Sequence, residues 1–155
     1  MKRWLWMWAL MGCLSSVQAR EWPYNESADA DAEVKAAVQK ARQRHVPVLI
    51  VFGANWCPDC RALDAAMNRG ANEAFFRQHF DVVKVDVGNF DRHQDLVARF
   101  GNPTRQGIPA AVVLSSDGRV VYATQGGELA NARRMSEQGI ADFFARFVST
   151  EDETH

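Results

Sequence analysis

The chain has 155 residues, 47% of them hydrophobic and 24% charged, with a formal net charge of −1. That length supports one domain with a real core, and the composition is that of a globular chain, not a disordered or fibrous one. A charge balance this close to neutral gives no bulk electrostatic attraction to nucleic acid.

The N-terminus reads as a targeting segment and not as part of the fold. Lys2 and Arg3 form a short basic region, residues 4–14 an apolar run, and Val17-Gln18-Ala19 a small-residue cleavage site. The run falls short of the ~20 residues that a membrane-spanning helix needs. Residues 1–19 are therefore predicted to be a secretory signal peptide, which implies export, with a periplasmic location. An anchor helix that is never cut is the alternative for the same run. Leu10-Met11-Gly12-Cys13 also resembles a bacterial lipoprotein box, through which Cys13 would carry a lipid and hold the chain on a membrane. Met11 fits that box poorly, so cleavage after Ala19 is preferred. Cys13 would then leave with the signal, and the mature chain would keep Cys57 and Cys60. An exported chain with one close cysteine pair is not disulfide-stapled, and its pair reads as a working one.

Trp22, Pro23 and Tyr24 form an extended lead-in expected to pack against the domain. Asp29 or Asp31 can cap a helix whose Val34, Ala37, Val38 and Ala41 share one face; it should end near His45, before Pro47. Residues 48–52 are an apolar, β-branched run, the pattern of a strand buried on both faces. A helix is predicted over residues 57–68, with Leu63, Ala66 and Met67 inward. Asn72 should cap a short helix carrying Phe75, Phe76 and Phe80. Residues 82–87 are a second strand. Asp91 and Gln94 have capping-box spacing before Leu96, Val97 and Phe100. Residues 101–107 are a loop. Strands at 110–114 and 119–123 flank an Asp-Gly turn, a strong hairpin signal. Ser136 can cap a last helix with Ile140, Phe143, Phe144, Phe147 and Val148 as a core stripe. Residues 150–155 are an acidic tail.

Two strands separated by helices can lie parallel, and the hairpin adds antiparallel strands. The order predicts a three-layer α/β domain with a mixed sheet. Trp56-Cys57-Pro58-Asp59-Cys60 would then fall past the C-terminal end of a central strand, where open α/β sheets place their sites. A helix start favours the thiolate form of a cysteine. A structural disulfide closing so short a loop would be a poor staple. Half of a zinc site is disfavoured because no second cysteine pair or spaced histidine pair exists. His45, His79 and His93 are scattered and read as surface or helix-end residues. Arg133 and Arg134 read as a solvated loop pair.

Across residues 46–148 the pattern resembles the thioredoxin superfamily. The resemblance rests on the run at 48–60 that ends in Trp56-Cys57-Pro58-Asp59-Cys60, on Lys84-Val85-Asp86, on Gly107-Ile108-Pro109 directly before a strand, and on the hairpin and last helix. It looks most like exported members, among them the periplasmic thiol domain of the transmembrane reductase that carries electrons across the inner membrane. The pentapeptide also resembles that of a small thioredoxin-related disulfide reductase. The resemblance implies a thioredoxin-like three-layer α/β/α sandwich with a mixed central sheet, over residues 20–149. It further implies an exported thiol–disulfide oxidoreductase that reduces protein or peptide disulfides, supplied with electrons by an upstream membrane thiol reductase.

Under that reading Cys57, near the surface, attacks a substrate disulfide, and the more buried Cys60 resolves the mixed disulfide. Pro58 sits at the second helical position, where its missing N–H costs nothing. Asp59 either takes a proton from Cys60 or is a solvated first-turn carboxylate favourable to the helix dipole. Trp56 shields the thiols and offers a flat contact surface, or simply packs. Pro109 would be the cis-proline opposite the cysteines, presenting the Ile108 backbone to an extended substrate. No cofactor beyond the redox-active dithiol, and no metal, is implied. The sequence departs from the family at Val51, where reductases usually carry a buried acid. Asp59 or water would then handle the proton, and Lys84 would pair with a surface carboxylate instead. A thiol oxidase or isomerase of the same fold, a non-catalytic binding module and a metallochaperone are the competing readings.

Overall fold

A computed structural model describes residues 22–148. The predicted leader at 1–19, with Cys13 in it, and the predicted tail at 150–155 lie outside the described residues. Helix α1 (Ala30–Arg44) starts where Asp29 Oδ1 accepts the Ala32 N–H at 3.0 Å and ends at His45, whose φ of 55° stops the helix. Strand β1 (Val48–Gly53) follows Pro47, and all of its residues are buried. It lies in the middle of a mixed sheet of order β2-β1-β3-β4. β2 (Asp81–Asp86) runs parallel to β1, and β3 (Ala110–Leu114) runs antiparallel to it. β4 (Val120–Ala123) closes the hairpin with β3, through an irregularity at Val113 and Leu114.

The alternating sides of β1 serve two cores, which is why the run is apolar throughout. Val48, Ile50 and Phe52 pack with Val34 and Ala41 of α1 and with Leu96 and Val97. Leu49 and Val51 pack with Leu63, Phe76, Ile140 and Phe144. Helices on both faces of the sheet make the predicted three-layer sandwich. Each fully buried Leu, Ile or Phe contributes on the order of 1.5–3 kcal/mol, so these two layers hold the sheet. Among the described residues no helix is long and apolar enough to cross a membrane.

Helix α2 (Pro58–Met67) begins at the cysteine motif, with Pro58 in its first position and not its second. Helix α3 (Gly70–His79) starts three residues earlier than an Asn72 cap would allow, with Arg69 in the cap position. Asn72 is instead buried inside it, and its Nδ2 donates to Ala66 O at 3.0 Å and Glu137 O at 2.9 Å. Two carbonyls at neighbouring helix ends satisfy a buried amide better than one cap would. The predicted capping box of α4 (Gln94–Arg99) does not form. His93 occupies the cap position with φ 51°, Asp91 Oδ1 accepts the Asn89 N–H, and Gln94 Nε2 donates to Arg92 O. The loop after α4 contains a short 3-10 turn, Pro103–Gln106. A second 3-10 turn, Ala132–Arg134, precedes α5 (Glu137–Ala145), which Ser136 caps through the Gly139 N–H.

Candidate active site

β1 ends at Gly53, a turn follows, and Cys57 takes the cap position of α2 in an extended conformation. Its Sγ accepts the Cys60 N–H at 3.1 Å. An orphan amide at a helix start thus points at this sulfur, the arrangement that stabilises a thiolate. Cys57 and Cys60 form a disulfide with their Cα atoms 5.2 Å apart. Cys60 is fully buried, and Cys57 is only 4% exposed, so the expected surface position of Cys57 is corrected. What covers it is the loop before β3. The Ile108–Pro109 bond is cis, Pro109 is buried, and the Ile108 carbonyl oxygen lies 3.7 Å from Cys57 Sγ. Residues 51 positions apart therefore meet at the sulfur.

Trp56 is 53% exposed, and its Nε1 donates to Gly88 O at 2.9 Å. Phe90, itself exposed, meets the Trp56 ring edge-on at 6.3 Å. Trp22 is also exposed, with the Arg61 guanidinium over its ring. Pro58 faces solvent beside the pair. Phe90 had no signal in the sequence beyond being aromatic in a Gly88-containing turn.

Asp59 is not solvated. It is 9% exposed, and its Oδ1 accepts from the Arg133 backbone N–H at 2.9 Å and from Arg133 Nε at 3.2 Å. Arg133 is correspondingly not a free loop charge. The carboxylate fastens the 3-10 turn before α5 onto the first turn of the cysteine helix. Sequence reasoning missed this pair because its members are 74 residues apart and neither has a periodic or capping signature.

Val51 is buried against Leu63, with no ionisable group at its place in β1. Lys84, its partner in register on β2, forms an ion pair with Asp64 Oδ1 of α2. Both side chains are partly buried, and the pair is the salt bridge to a surface carboxylate that the sequence suggested. The unforeseen neighbour of Cys60 is Tyr24. Asn55 Oδ1 accepts the Tyr24 N–H at 3.0 Å and Asn55 Nδ2 donates to Tyr24 O at 2.9 Å, which latches the lead-in beside the motif. The Tyr24 ring is buried. Burial above all, and then the Asp64 and Asp86 carboxylates, push the Tyr24 phenol far above the ordinary phenol range.

The comparisons with known proteins agree with this geometry. A family model described as thioredoxin-like matches residues 29–116. Thioredoxin 1 of Chlorobaculum tepidum is 36% identical over 85 residues, 55% of this chain and 75% of that protein. The crystal structure of a disulphide isomerase from Xylella fastidiosa Temecula1 is 55% identical, with a TM-score of 0.82 over 84% of this chain and 100% of that one. The C-terminal domain of DsbD from Neisseria meningitidis, in its reduced form, shares the fold at 24% identity, with a TM-score of 0.54 over 76% of this chain and 96% of that one. The matched span runs from the cap of α1 through the cysteine pair to the β3–β4 turn, so the chain belongs to the thioredoxin-like family, as a thioredoxin-fold redox protein whose Cys57 and Cys60 close a disulfide.

Proposed function

We propose that this protein is an exported thiol–disulfide oxidoreductase that reduces protein or peptide disulfides by dithiol exchange through Cys57 and Cys60. The observation that carries the reading is the asymmetry of the pair. Cys57 Sγ receives an amide at a helix start and lies under a backbone carbonyl of the Pro109 loop, whereas Cys60 is wholly enclosed. In the reduced protein, the Cys57 thiolate attacks one sulfur of a substrate disulfide. The other sulfur leaves as a thiolate and takes a proton from water. Cys60 then loses its proton and attacks Cys57 Sγ, closing the Cys57–Cys60 disulfide and expelling the second substrate thiolate. The substrate gains two electrons and the protein loses two.

A dithiol donor must then restore the pair. The basic start, short apolar run and Val17-Gln18-Ala19 site support export, so the natural donor is a membrane thiol reductase facing the periplasm. If Cys13 were lipidated instead, the same domain would act from the membrane surface. Trp56, Pro58, Asp59 and Ile108 would shape the face that meets substrate, and Pro109 would turn the Ile108 backbone toward it.

A second reading has its own support, since the 55% identical Xylella protein is described as a disulphide isomerase. The reduction potential of the pair, from equilibration with glutathione, separates the two. A value below about −200 mV supports reduction, and one well above it favours oxidation or isomerisation.

A further inference from the structure

We infer that Tyr24 is a positioning residue for Cys60, its buried phenol donating a hydrogen bond to the Cys60 sulfur as that thiolate forms and attacks Cys57. The inference rests on the dithiol-exchange reading above. Cys60 must lose a proton inside the protein, yet β1 beneath it is Val48 to Gly53 with no polar side chain. A thiolate formed there requires a donor to replace water.

Three observations place Tyr24 in that role. The lead-in before α1 has no regular structure, yet Tyr24 is 3% exposed, and both its backbone N–H and C=O are held by the Asn55 side chain. Asn55 is two residues before Cys57, so the latch belongs to the motif itself. The Tyr24 hydroxyl and Cys60 Sγ then share the space over Gly53. A β-carbon at Gly53 would lie 2.9 Å from Cys60 Sγ and would overlap the Tyr24 hydroxyl outright. Only glycine lets the phenol and the sulfur stand side by side over the strand.

The chemistry of the surroundings decides what the phenol can do. The charged groups facing it are Asp64 of α2, paired with Lys84 of β2, and Asp86 of β2, paired with Arg92. Burial and those carboxylates keep the phenol protonated. It is therefore a standing donor and not a base. The Cys60 proton goes to solvent as the mixed disulfide opens, and the phenol stabilises the thiolate left behind without losing its own proton. When Cys60 Sγ bonds to Cys57 Sγ the charge leaves with the substrate thiolate, and in that disulfide form the phenol stands near the sulfur without a hydrogen bond to it. The contact thus favours the attacking state over the product.

The test uses the full chain carrying Cys13→Ser, reduced and mixed with an equimolar aromatic disulfide, 5,5′-dithiobis(2-nitrobenzoate). One thionitrobenzoate is released as Cys57 forms the mixed disulfide, and a second as Cys60 closes the ring. Tyr24→Phe keeps the ring and the Asn55 latch. Its first phase should stay within about twofold, while its second phase slows about tenfold near neutral pH, the effect of one lost hydrogen bond to a charged group. The midpoint of the second phase's pH profile should rise by about one pH unit, with the two proteins converging at alkaline pH. Tyr24 and Tyr122 are the chain's two tyrosines. Incorporating 3-fluorotyrosine, a stronger donor, into a Tyr122→Phe chain should move that profile downward. A second phase unchanged in Tyr24→Phe, or slowed equally at every pH, overturns the inference and leaves dithiol exchange standing. A wild-type chain that releases no second equivalent overturns both.

Discussion

Cys57→Ser yields a folded protein whose disulfide-reducing activity falls to the uncatalysed level. Serine is among the best N-cap residues, so Oγ can accept the Cys60 N–H that Cys57 Sγ now accepts, and α2 keeps its start. The lost disulfide spans a sequence separation of 3. A ring that short constrains the unfolded chain by only about 2 kcal/mol in the loop-entropy view. The fold therefore survives, at a cost of at most about 2 kcal/mol, while the attacking sulfur is gone. Insulin reduction with a dithiol donor, read beside thermal unfolding, checks both halves. Full biological activity of Cys57→Ser in the cell, with no insulin reduction, would instead indicate a binding module that uses the groove around Pro109 without thiol chemistry.

Phe144→Ala should have the opposite profile. Phe144 is fully buried at the centre of an aromatic cluster, with ring centroids 5.4 Å from Phe76, 5.0 Å from Phe143 and 6.4 Å from Phe80. Removing it leaves a cavity between α5, α3 and the sheet, at a cost of about 3–5 kcal/mol. That is a large part of the roughly 5–15 kcal/mol that holds a domain of this size. Yet Phe144 packs on the Leu49 and Val51 face of the sheet, whereas Cys57 and Cys60 belong to the cluster on the Phe52 face. The folded fraction should keep its thiol-exchange rates within about twofold, in line with additivity at separated sites. Urea unfolding gives the stability loss. Exchange kinetics below the transition show whether the scaffold and the site are separable.

These two variants also mark what the sequence could show. The scaffold signals were local. An uninterrupted apolar run marks β1, Ser136 with Ile140, Phe143 and Phe144 marks α5 (Phe147 and Val148 of the same stripe fall past its end and pack on the core in part), and two cysteines after a strand mark the start of α2. Each of these is written within about ten neighbouring residues, so periodicity and capping rules reach it. The surroundings of the pair were not local. The grip of Arg133 on Asp59 spans 74 residues and the latch of Asn55 on Tyr24 spans 31. Both depend on the path an irregular segment takes over the finished sheet. Local rules also misled where tertiary demands won. Asn72 reads as a cap but serves two carbonyls inside the protein, and Asp91 and Gln94 have capping-box spacing but turn to loop amides and carbonyls.

The absent acid at Val51 changes meaning once Tyr24 is in view. A carboxylate would accept the Cys60 proton, whereas a protonated phenol can only steady the thiolate after the proton has gone. Proton removal is then left to solvent, and second-step rates should track pH more openly than in a chain with a buried base.

The central claim is that Cys57 attacks and Cys60 resolves, and trapping tests it most directly. Cys60→Ser should accumulate mixed disulfides between Cys57 and exported proteins, visible as higher-mass species that a thiol reductant dissolves and that Cys57→Ser abolishes. Recovery of no such species from the exported fraction, or their persistence in the Cys57→Ser, Cys60→Ser double variant, would contradict the account.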